Sequence, residues 1–424
     1  MPFTQLTWFG LAIVGVLSVA PFFLDPHPTK LAPPQHFPLG WITKGSVLLC
    51  MLLTIGLRAW ADRDEERRPI LLNGGFLLLA VALTAYHWFE VDRGWFDVKE
   101  GRKTVRYYHV NWQRALYAAV LNHRPESHGE NWVPHIYRPA PYGFVRSLEL
   151  YTGDWRFACL VYRGFFTYWF VWCTYRFIRR FHRPKEALAG LGVYAILYPF
   201  SVLYYMGQLT DPMSHALFAL ALLCLIEDRW RLLGVSLALG ILAKETAIVL
   251  VPAYAACWRG RGPRTYLRTG VLGLIGVAAF LAVRLPFGWT GASDSINGSK
   301  IMVAQNLGFG DASFGTSAPL YQNYLQPILF IGLFLPIIWK HWRDLDSRLK
   351  ALFLTLVPLV FLSSLAFSWL YESRNYVPLL PVLLAMTQRP VTGSSDKKLV
   401  TRRESQYIVQ EQRTSSPIAG ARDS

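Results

Sequence analysis

A polytopic bundle of transmembrane α-helices is the fold class that this sequence predicts. Of its 424 residues, 53% are hydrophobic and 15% are aromatic, and the mean hydropathy is +0.25. The apolar residues come in runs close to the roughly 20 residues that a helix needs to cross a bilayer, and the basic residues cluster between those runs. Because a soluble domain of this length needs a more charged surface, we expect an all-α integral membrane protein.

The apolar runs give the order of the predicted segments. Runs of spanning length lie at about 6–24, 39–60, 70–90, 152–178, 186–206, 268–285, 320–339 and 351–370, and shorter ones at 211–226 and 376–388. The stretch 232–258 is too long for one comfortable helix and carries Lys244 and Glu245 in its middle. Since a charged pair at mid-membrane is costly, we expect two short helices with a turn at Lys244–Thr246.

Positive charge favours the same division. With the N-terminus inside, 19 lysines and arginines fall in the predicted inner loops, which are 58–68, 176–186, 227–231, 259–268 and 340–350, and only six fall in the short outer segments. Cytoplasmic loops are enriched in Lys and Arg, so we expect about twelve segments with both termini inside. The net charge of +16 is spread over these short clusters, and nucleic acid is therefore not an expected partner.

The chain divides into three predicted parts. Residues 1–69 form two N-terminal transmembrane helices, residues 70–388 form a transmembrane core, and residues 389–424 form a polar tail expected to be disordered in the cytoplasm. The core has two long outer loops, at 91–150 and 286–320. In the first loop, apolar residues recur every three or four positions from Val105 to Leu121, which predicts an amphipathic helix lying on the outer membrane surface.

Charged and polar residues gather in the outer turns of this predicted topology. They are Glu90, Asp92 and Asp97 after the third helix, Gln208 and Asp211, Lys244 and Glu245, and Glu372 and Arg374. The helices around 211–258 are short, so we expect a cavity open to the outer surface at this edge.

Transfer from a lipid-phosphate donor is the chemistry that such a site suits. Fixed cations such as Lys244 and Arg374 stabilise a phosphate leaving group, and an acid at 90–97 can act as the base for an attacking hydroxyl. A purely structural alternative is that Lys244 and Glu245 pair with each other or extend to the interface.

No cofactor or metal is expected. The histidines of the first outer loop, His123, His128 and His135, do not have the spacing of a metal site. All five cysteines lie inside apolar runs, where free thiols act as small hydrophobic side chains.

Four short motifs resemble those of GT-C fold glycosyltransferases. These are polytopic enzymes that take sugars from polyprenyl-phosphate donors, such as the protein mannosyltransferase and aminoarabinose transferase group. The motifs are GILAKET at Gly240–Thr246 with AIVLVP after it, the segment from Met206 to Pro212, ESRNYVPLLP at Glu372–Pro381, and Tyr137–Arg138–Pro139 ahead of a helix. The long first outer loop is also similar, and the resemblance covers residues 70 to 388.

The resemblance implies roles for particular residues. It implies that Lys244, Arg374 and Arg138 bind the donor phosphate, and that Gln208, Asp211, Glu245 and Glu372 contact the substrate. The family usually carries an acidic pair or a lone Asp just after its first helix, whereas here the acids follow the third helix and are not adjacent. By position Asp92 is the preferred catalytic base, and Asp97 is the second choice.

Three functions stay open at this stage. The first is an inverting hexosyl- or pentosyltransferase that uses a polyprenyl-phosphate-linked donor on the outer or luminal membrane face. The second is a transporter or flippase of a lipid-linked substrate, and the third is a non-catalytic scaffold of the cell envelope. Each places the chain in a lipid bilayer, which is the plasma or inner membrane of a bacterium or the endoplasmic reticulum of a eukaryote. The sequence names neither the sugar nor the acceptor.

Overall fold

The structure of the protein is a computed structural model that describes most of its apolar regions. The described residues are 2–24, 39–61, 69–89, 95–100, 103–108, 138–202, 209–287, 303, 306–307, 327–368, 370 and 372–388. Within these ranges, apolar helices pack around a common hydrophobic core, and one short β-hairpin accompanies them.

The helices follow one another with short connections wherever the structure describes them. They are α1 (Pro2–Leu24), α2 (Leu39–Ala61), α3 (Pro69–His87), α4 (Pro139–Thr152), α5 (Trp155–Ile178), α6 (Pro184–Val202), α7 (Thr210–Ile226), α8 (Trp230–Ala243), α9 (Leu250–Trp258), α10 (Pro263–Phe287), α11 (Leu335–His341), α12 (Ser347–Phe367) and α13 (Leu380–Thr387). Short 3₁₀ helices lie at Glu245–Val249, Trp342–Asp344 and Ser373–Leu379.

Four helices among the described residues are long and apolar enough to cross a membrane. The spans are Gly40–Leu57 in α2, Pro69–His87 in α3, Pro263–Leu285 in α10 and Ser347–Phe367 in α12. At most 28% of each is buried inside the protein, so their apolar side chains face outward, as in a lipid environment. These four coincide with four of the predicted runs. The count of about twelve segments and their orientation stay predictions.

Helix α5 occupies the centre of the bundle. Its N-terminus is capped by Asp154, whose side chain accepts a hydrogen bond from the Phe157 amide at 3.0 Å. Tyr162 and Phe166 are fully buried, and α3, α4 and α7 pack around the helix. A helix that is hydrophobic on all sides packs inside a bundle. The predicted run 152–178 is therefore a central helix covered by its neighbours.

The stretch 232–258 is divided at Lys244, as the charge pattern predicts. Helix α8 ends at Ala243, Lys244 has an extended backbone with φ of −163° and ψ of 125°, and a 3₁₀ turn begins at Glu245. The chain then runs back beside α7, where the Trp258 indole donates a hydrogen bond to the Leu225 carbonyl at 2.9 Å. The predicted pair of short helices is confirmed.

Four of the five loops predicted to lie inside gather at one end of the bundle, and most of the fifth, 58–68, lies outside the described residues. The Arg348 guanidinium lies 5.8 Å from the centre of the Phe181 ring, and Arg180 pairs with Glu227. The Cys257 thiol lies 3.5 Å from the Arg348 carbonyl. Turns 179–183, 227–229 and 259–262 and the start of α12 are thus neighbours, whereas Asp211 and Lys244 lie at the opposite ends of α7 and α8.

The predicted amphipathic helix over Val105–Leu121 is wrong at its beginning. Strand β1 (Trp95–Glu100) pairs antiparallel with β2 (Lys103–Tyr108), with Trp95 opposite Tyr108 and Asp97 opposite Arg106. Both segments are rich in aromatic and β-branched residues, which favour strands over helices. Residues 109–121 lie outside the described part of the chain.

The N-terminal helix packs directly on the predicted core region. Helix α1 lies along α4, and the Ser147 hydroxyl donates to the Leu17 carbonyl at 2.6 Å. A Cβ atom at Gly10 would approach the Trp169 ring to 2.9 Å, so a larger residue there would force the indole to shift. The predicted boundary at residue 69 falls on the first residue of α3, and the predicted tail 389–424 lies outside the described residues.

Candidate functional site

A buried group of charged and polar side chains lies where α7, α8 and the last 3₁₀ helix meet. Asp211 lies in the first turn of α7, Lys244 follows α8, and Glu372, Arg374 and Asn375 surround the start of the helix Ser373–Leu379. These five residues are called the Asp211 cluster below. Long stretches of sequence separate Asp211, Lys244 and the segment 372–375, so the fold is what brings these three parts together.

Asp211 is the centre of the cluster. Its Oδ1 accepts a hydrogen bond from Lys244 Nζ at 3.0 Å, and its Oδ2 accepts one from Arg374 Nη1 at 3.0 Å. Asp211 is 2% exposed. A buried carboxylate is stable only when charges and hydrogen bonds replace its hydration. Each oxygen of Asp211 therefore holds one cation.

Glu372 and Asn375 close the network around these cations. Arg374 Nη2 donates to Glu372 Oε1 at 2.7 Å, so its guanidinium joins two carboxylates. Lys244 Nζ also donates to the Asn375 amide oxygen at 2.9 Å. Glu372 Oε2 accepts from the Ser368 hydroxyl at 2.7 Å and from Asn375 Nδ2 at 3.2 Å. Charged hydrogen bonds of this kind are stronger than neutral ones and fix geometry.

Glu245 belongs to a second group of charges next to the cluster. Arg138 Nε donates to Glu245 Oε2 at 3.1 Å, and Arg284 Nη2 lies 3.8 Å from Glu245 Oε1. Glu245 thus pairs with these arginines, and its neighbour Lys244 pairs with Asp211. The structural alternative in which Lys244 and Glu245 pair with each other is not what the structure shows.

The charges at this end of the bundle have a positive excess among the described residues. The cations are Lys244, Arg374, Arg138 and Arg284, and the carboxylates are Asp211, Glu372 and Glu245. Arg163, which is 2% exposed, adds a further positive charge deeper in α5. Its Nη1 atom lies 3.3 Å from His87 Nε2. An excess of fixed positive charge favours an anionic ligand.

A small polar cavity adjoins the cluster. It encloses about 40 Å³, and Asp211, Arg374, Arg163, His87 and His215 line it together with aromatic side chains of α5 and α6. The volume is enough for a water molecule or a small polar group. Within the described ranges, Nε2 of His215 is buried without a hydrogen-bond partner. The cavity therefore offers a buried polar position directly behind Asp211.

Asn306, in the second predicted outer loop, anchors the segment that carries Glu372 and Arg374. It is fully buried, and its Nδ2 donates to the carbonyls of Leu365 at 2.9 Å and Ser368 at 2.8 Å. Its Oδ1 accepts from the Leu370 amide at 3.2 Å. One side chain thus replaces backbone hydrogen bonds that are lost where α12 ends. Sequence analysis did not single out this residue.

The structure brings together most of the residues predicted for the site. Those it brings to one place are Arg138, Asp211, Lys244, Glu245, Glu372 and Arg374. Asp97 lies on strand β1, and Asp92 and Gln208 lie outside the described residues, so their predicted roles remain predictions. The structure adds Ser368 and Asn375, which sequence analysis did not predict for the site. Asn375 lies inside the motif at Glu372–Pro381, and this position could have indicated its role.

Comparison with known proteins adds nothing to this geometry. No protein-family model, no characterised protein and no solved structure matches this chain. The resemblance to GT-C glycosyltransferases therefore rests on the short sequence motifs and on the long first outer loop. Among the described residues, no group of three or more His, Cys, Asp or Glu side chains is arranged to hold a metal ion, and the metal-free site stays a prediction.

Proposed function

We propose that this protein is a membrane glycosyltransferase of the GT-C type. In this proposal it transfers a sugar from a polyprenyl-phosphate-linked donor to an acceptor hydroxyl on the outer or luminal face of the membrane. The proposal includes the finer topology of about twelve segments with both termini inside. The protein is then a multi-pass component of a bacterial plasma or inner membrane, or of the endoplasmic reticulum.

The convergence of charges at one end of apolar helices carries the proposal. Asp211, Lys244 and Arg374 are buried, and each of the two cations donates a hydrogen bond to Asp211, although the sequence around them is largely apolar. Ionisable groups inside a membrane protein are costly and usually serve a function. Three of the four motifs that resemble the GT-C family contribute residues to this one place, and the fourth contributes Arg138 beside it.

The positive excess suits a donor that leaves as a lipid phosphate. A phosphate entering beside Arg374 would share or exchange the guanidinium that Asp211 and Glu372 hold. Arg presents a planar fork of donors, which fits phosphate oxygens in pairs. Lys244 and Arg138, the other two cations predicted to bind the donor phosphate, lie at the same end.

The proposed reaction is a direct displacement at the anomeric carbon. The acceptor oxygen forms a bond to that carbon while the bond from the carbon to the phosphate oxygen breaks. The polyprenyl phosphate leaves with the electron pair, and the configuration inverts. The acceptor proton passes to a carboxylate base, which we assign to Asp92, with Asp97 as the second choice.

A transfer assay with the purified protein tests this function. The protein is incubated with labelled polyprenyl-phosphate sugars and candidate acceptors, and product and released lipid phosphate are measured. Asp92→Asn keeps the shape of the side chain and removes the base, so turnover should fall by about 10²-fold or more while donor binding is kept. Arg374→Gln should weaken donor binding by about 1.5–3 kcal/mol, the range of a charge-assisted hydrogen bond.

Asp344→Asn is the matched control, because Asp344 is an exposed aspartate at the other end of the bundle. It should leave turnover unchanged. If Asp97→Asn is inactive and Asp92→Asn is active, the function stands and the base is Asp97. If lipid-linked substrates bind and cross the membrane without any transfer, the protein is a transporter or flippase. If no variant of the Asp211 cluster changes sugar transfer, donor binding or transport, the result favours the non-catalytic scaffold.

A further inference from the structure

Three exposed arginines lie at the end of the bundle opposite the Asp211 cluster. Arg259, Arg261 and Arg264 are exposed and surround the turn between α9 and α10. They are called the Arg259–Arg264 patch below. The turn contains Gly260 with φ of +86° and Gly262 with φ of +91°, a backbone region that side chains rarely adopt. The two glycines therefore permit a tight turn between α9 and α10, which keeps the arginines close to the end of the bundle.

Carboxylates do not neutralise this patch. Asp228 binds the Arg268 guanidinium at 2.9 Å and the Tyr254 hydroxyl at 2.8 Å, and Glu227 is bound by Arg180 and Arg229. Within the part of the chain that the structure describes, Arg259 and Arg264 have no ion-pair partner. The nearby acids are thus already occupied by other cations, and the positive charge of the patch is available.

Arg261 is held in position by an aromatic ring. Its guanidinium carbon lies 4.0 Å from the centre of the Trp258 ring, which is within the range of a cation–π contact. Trp258 is fixed in turn by its hydrogen bond to the Leu225 carbonyl at 2.9 Å. A cation ordered in this way loses little conformational entropy when it binds an anion.

The patch lies at the level where a membrane meets water. Helix α10 begins at Pro263, and the apolar span Pro263–Leu285 starts at the same residue. One turn into the helix, Tyr266 is 63% exposed and Leu267 is 71% exposed. Aromatic and basic residues together at the end of an apolar helix are typical of the headgroup region. The arginines therefore reach the headgroups when the helix is in the bilayer.

We propose that the Arg259–Arg264 patch binds the headgroups of anionic phospholipids. The negative charge of the lipid phosphates neutralises these arginines, which the described carboxylates do not. The acyl chains lie beside Tyr266 and Leu267. Helix α7 separates the two ends of the bundle with 17 residues, which is about 25 Å of helix. The lipids thus occupy the leaflet opposite the Asp211 cluster, and this site does not depend on the proposed glycosyl transfer.

Lipid binding to the full chain in a neutral detergent tests the proposal. The probes are dioleoylphosphatidylglycerol, which is anionic, and dioleoylphosphatidylcholine, which has no net charge, and bound lipid is counted by native mass spectrometry. The test variant combines Arg259→Gln, Arg261→Gln and Arg264→Gln. The control combines Lys185→Gln, Lys340→Gln and Arg343→Gln, which removes the same charge from exposed positions outside the patch.

We expect the patch variant to lose about 10²-fold in affinity for phosphatidylglycerol, because each basic residue near an anionic surface contributes about 1 kcal/mol. The control variant should lose far less, phosphatidylcholine should bind equally to all three proteins, and added salt should weaken the anionic lipid only. A variant with lysine at all three patch positions should keep most of the affinity, which shows that loss in the glutamine variant is not a folding defect.

Several outcomes overturn the proposal. Equal losses in the patch and control variants would mean that total charge, and not the patch, attracts the lipid. Unchanged binding of phosphatidylglycerol by the patch variant would mean that the three arginines do not bind the lipid. If glycerol phosphate or a short oligonucleotide displaces phosphatidylglycerol at equal concentration, the patch recognises a soluble phosphate or a nucleic acid, and the lipid assignment is wrong.

Discussion

The two ends of helices α7 to α10 carry the same types of residue in opposite arrangements. At one end Asp211 is 2% exposed, and both of its oxygens bind cations. At the other end the Asp228 and Arg268 side chains are about a third exposed, and the neighbouring arginines 259, 261 and 264 are exposed. Burial makes pairing obligatory for a charge, whereas exposure makes it optional.

This difference supports the proposal that the buried end is the site of glycosyl transfer. An ion network that is buried among apolar helices costs solvation free energy, so a sequence that keeps it commonly uses it. An exposed basic turn costs little and is well suited to electrostatic attraction. We therefore assign the donor to the buried end and membrane lipid to the exposed end, and the following predictions test this contrast.

The largest expected effect is on the sidedness of the two ends. Single cysteines at Thr246 and Arg261, in a background that lacks the native cysteines, should differ strongly in labelling by an impermeant thiol reagent. Added from outside, the reagent should label position 246, next to Lys244, and leave position 261 unlabelled. Permeabilised membranes, where both should react, are the control. Equal labelling of intact cells would show that the two ends do not face opposite sides.

The second effect is on stability and compares one aspartate from each end. Asp211→Asn leaves Lys244 and Arg374 buried without their shared anion, so we expect the free energy of unfolding to fall by about 3–5 kcal/mol. Asp228→Asn removes a partly exposed pair and should cost about 1 kcal/mol or less. Asp228 has φ of +54°, and asparagine tolerates this conformation, so backbone strain does not confuse the comparison.

Thermal unfolding of the purified variants in detergent measures this difference. A similar loss of unfolding temperature in both variants would contradict the contrast between the two ends. It would mean that water or lipid headgroups reach Asp211 as readily as Asp228.

The smallest effect concerns the anchor of the cluster. Asn306→Ala leaves the backbone groups of Leu365, Ser368 and Leu370 without their partner, and an unsatisfied buried group costs about 1–3 kcal/mol. Thr269→Ala at the other end removes only a bond to the carbonyl of its own helix and should change stability by less than about 0.5 kcal/mol. Hydrogen exchange of residues 365–375 is the measurement. Unchanged protection there in the Asn306 variant would show that the anchor is dispensable.

The sequence was sufficient to predict the positions of the charged residues along the helices. The break at Lys244 was predictable because a charge in the middle of an apolar run is costly. It also places the basic cluster after Trp258 on the cytoplasmic side, where basic loops are enriched. The meeting of Asp211, Lys244 and Arg374 was predictable for the same reason, since alternation of the helices places all three turns at one end.

The choice of partners was not predictable. Lys244 binds Asp211, 33 positions away, and not its neighbour Glu245, because the extended backbone at Lys244 turns the two side chains apart. Asn306 binds groups that become unsatisfied only because α12 ends at Phe367. The hairpin at Trp95–Tyr108 was missed because a period of three or four and an alternating pattern coexist in VRYYHV. Strand pairing also depends on the preceding segment Trp95–Glu100, which the periodicity of Val105–Leu121 does not include.

The sequence separation between Asp211 and Arg374 has a consequence for assembly during synthesis. Asp211 and Lys244 lie on consecutive helices, so their contact is available as soon as α8 has been made. Arg374 is 163 positions beyond Asp211 and leaves the ribosome only with the last segments. Until those segments are made, Lys244 is the cation of the cluster that is available to Asp211. The final segments complete the buried network, and a chain that stops before residue 372 lacks that completion.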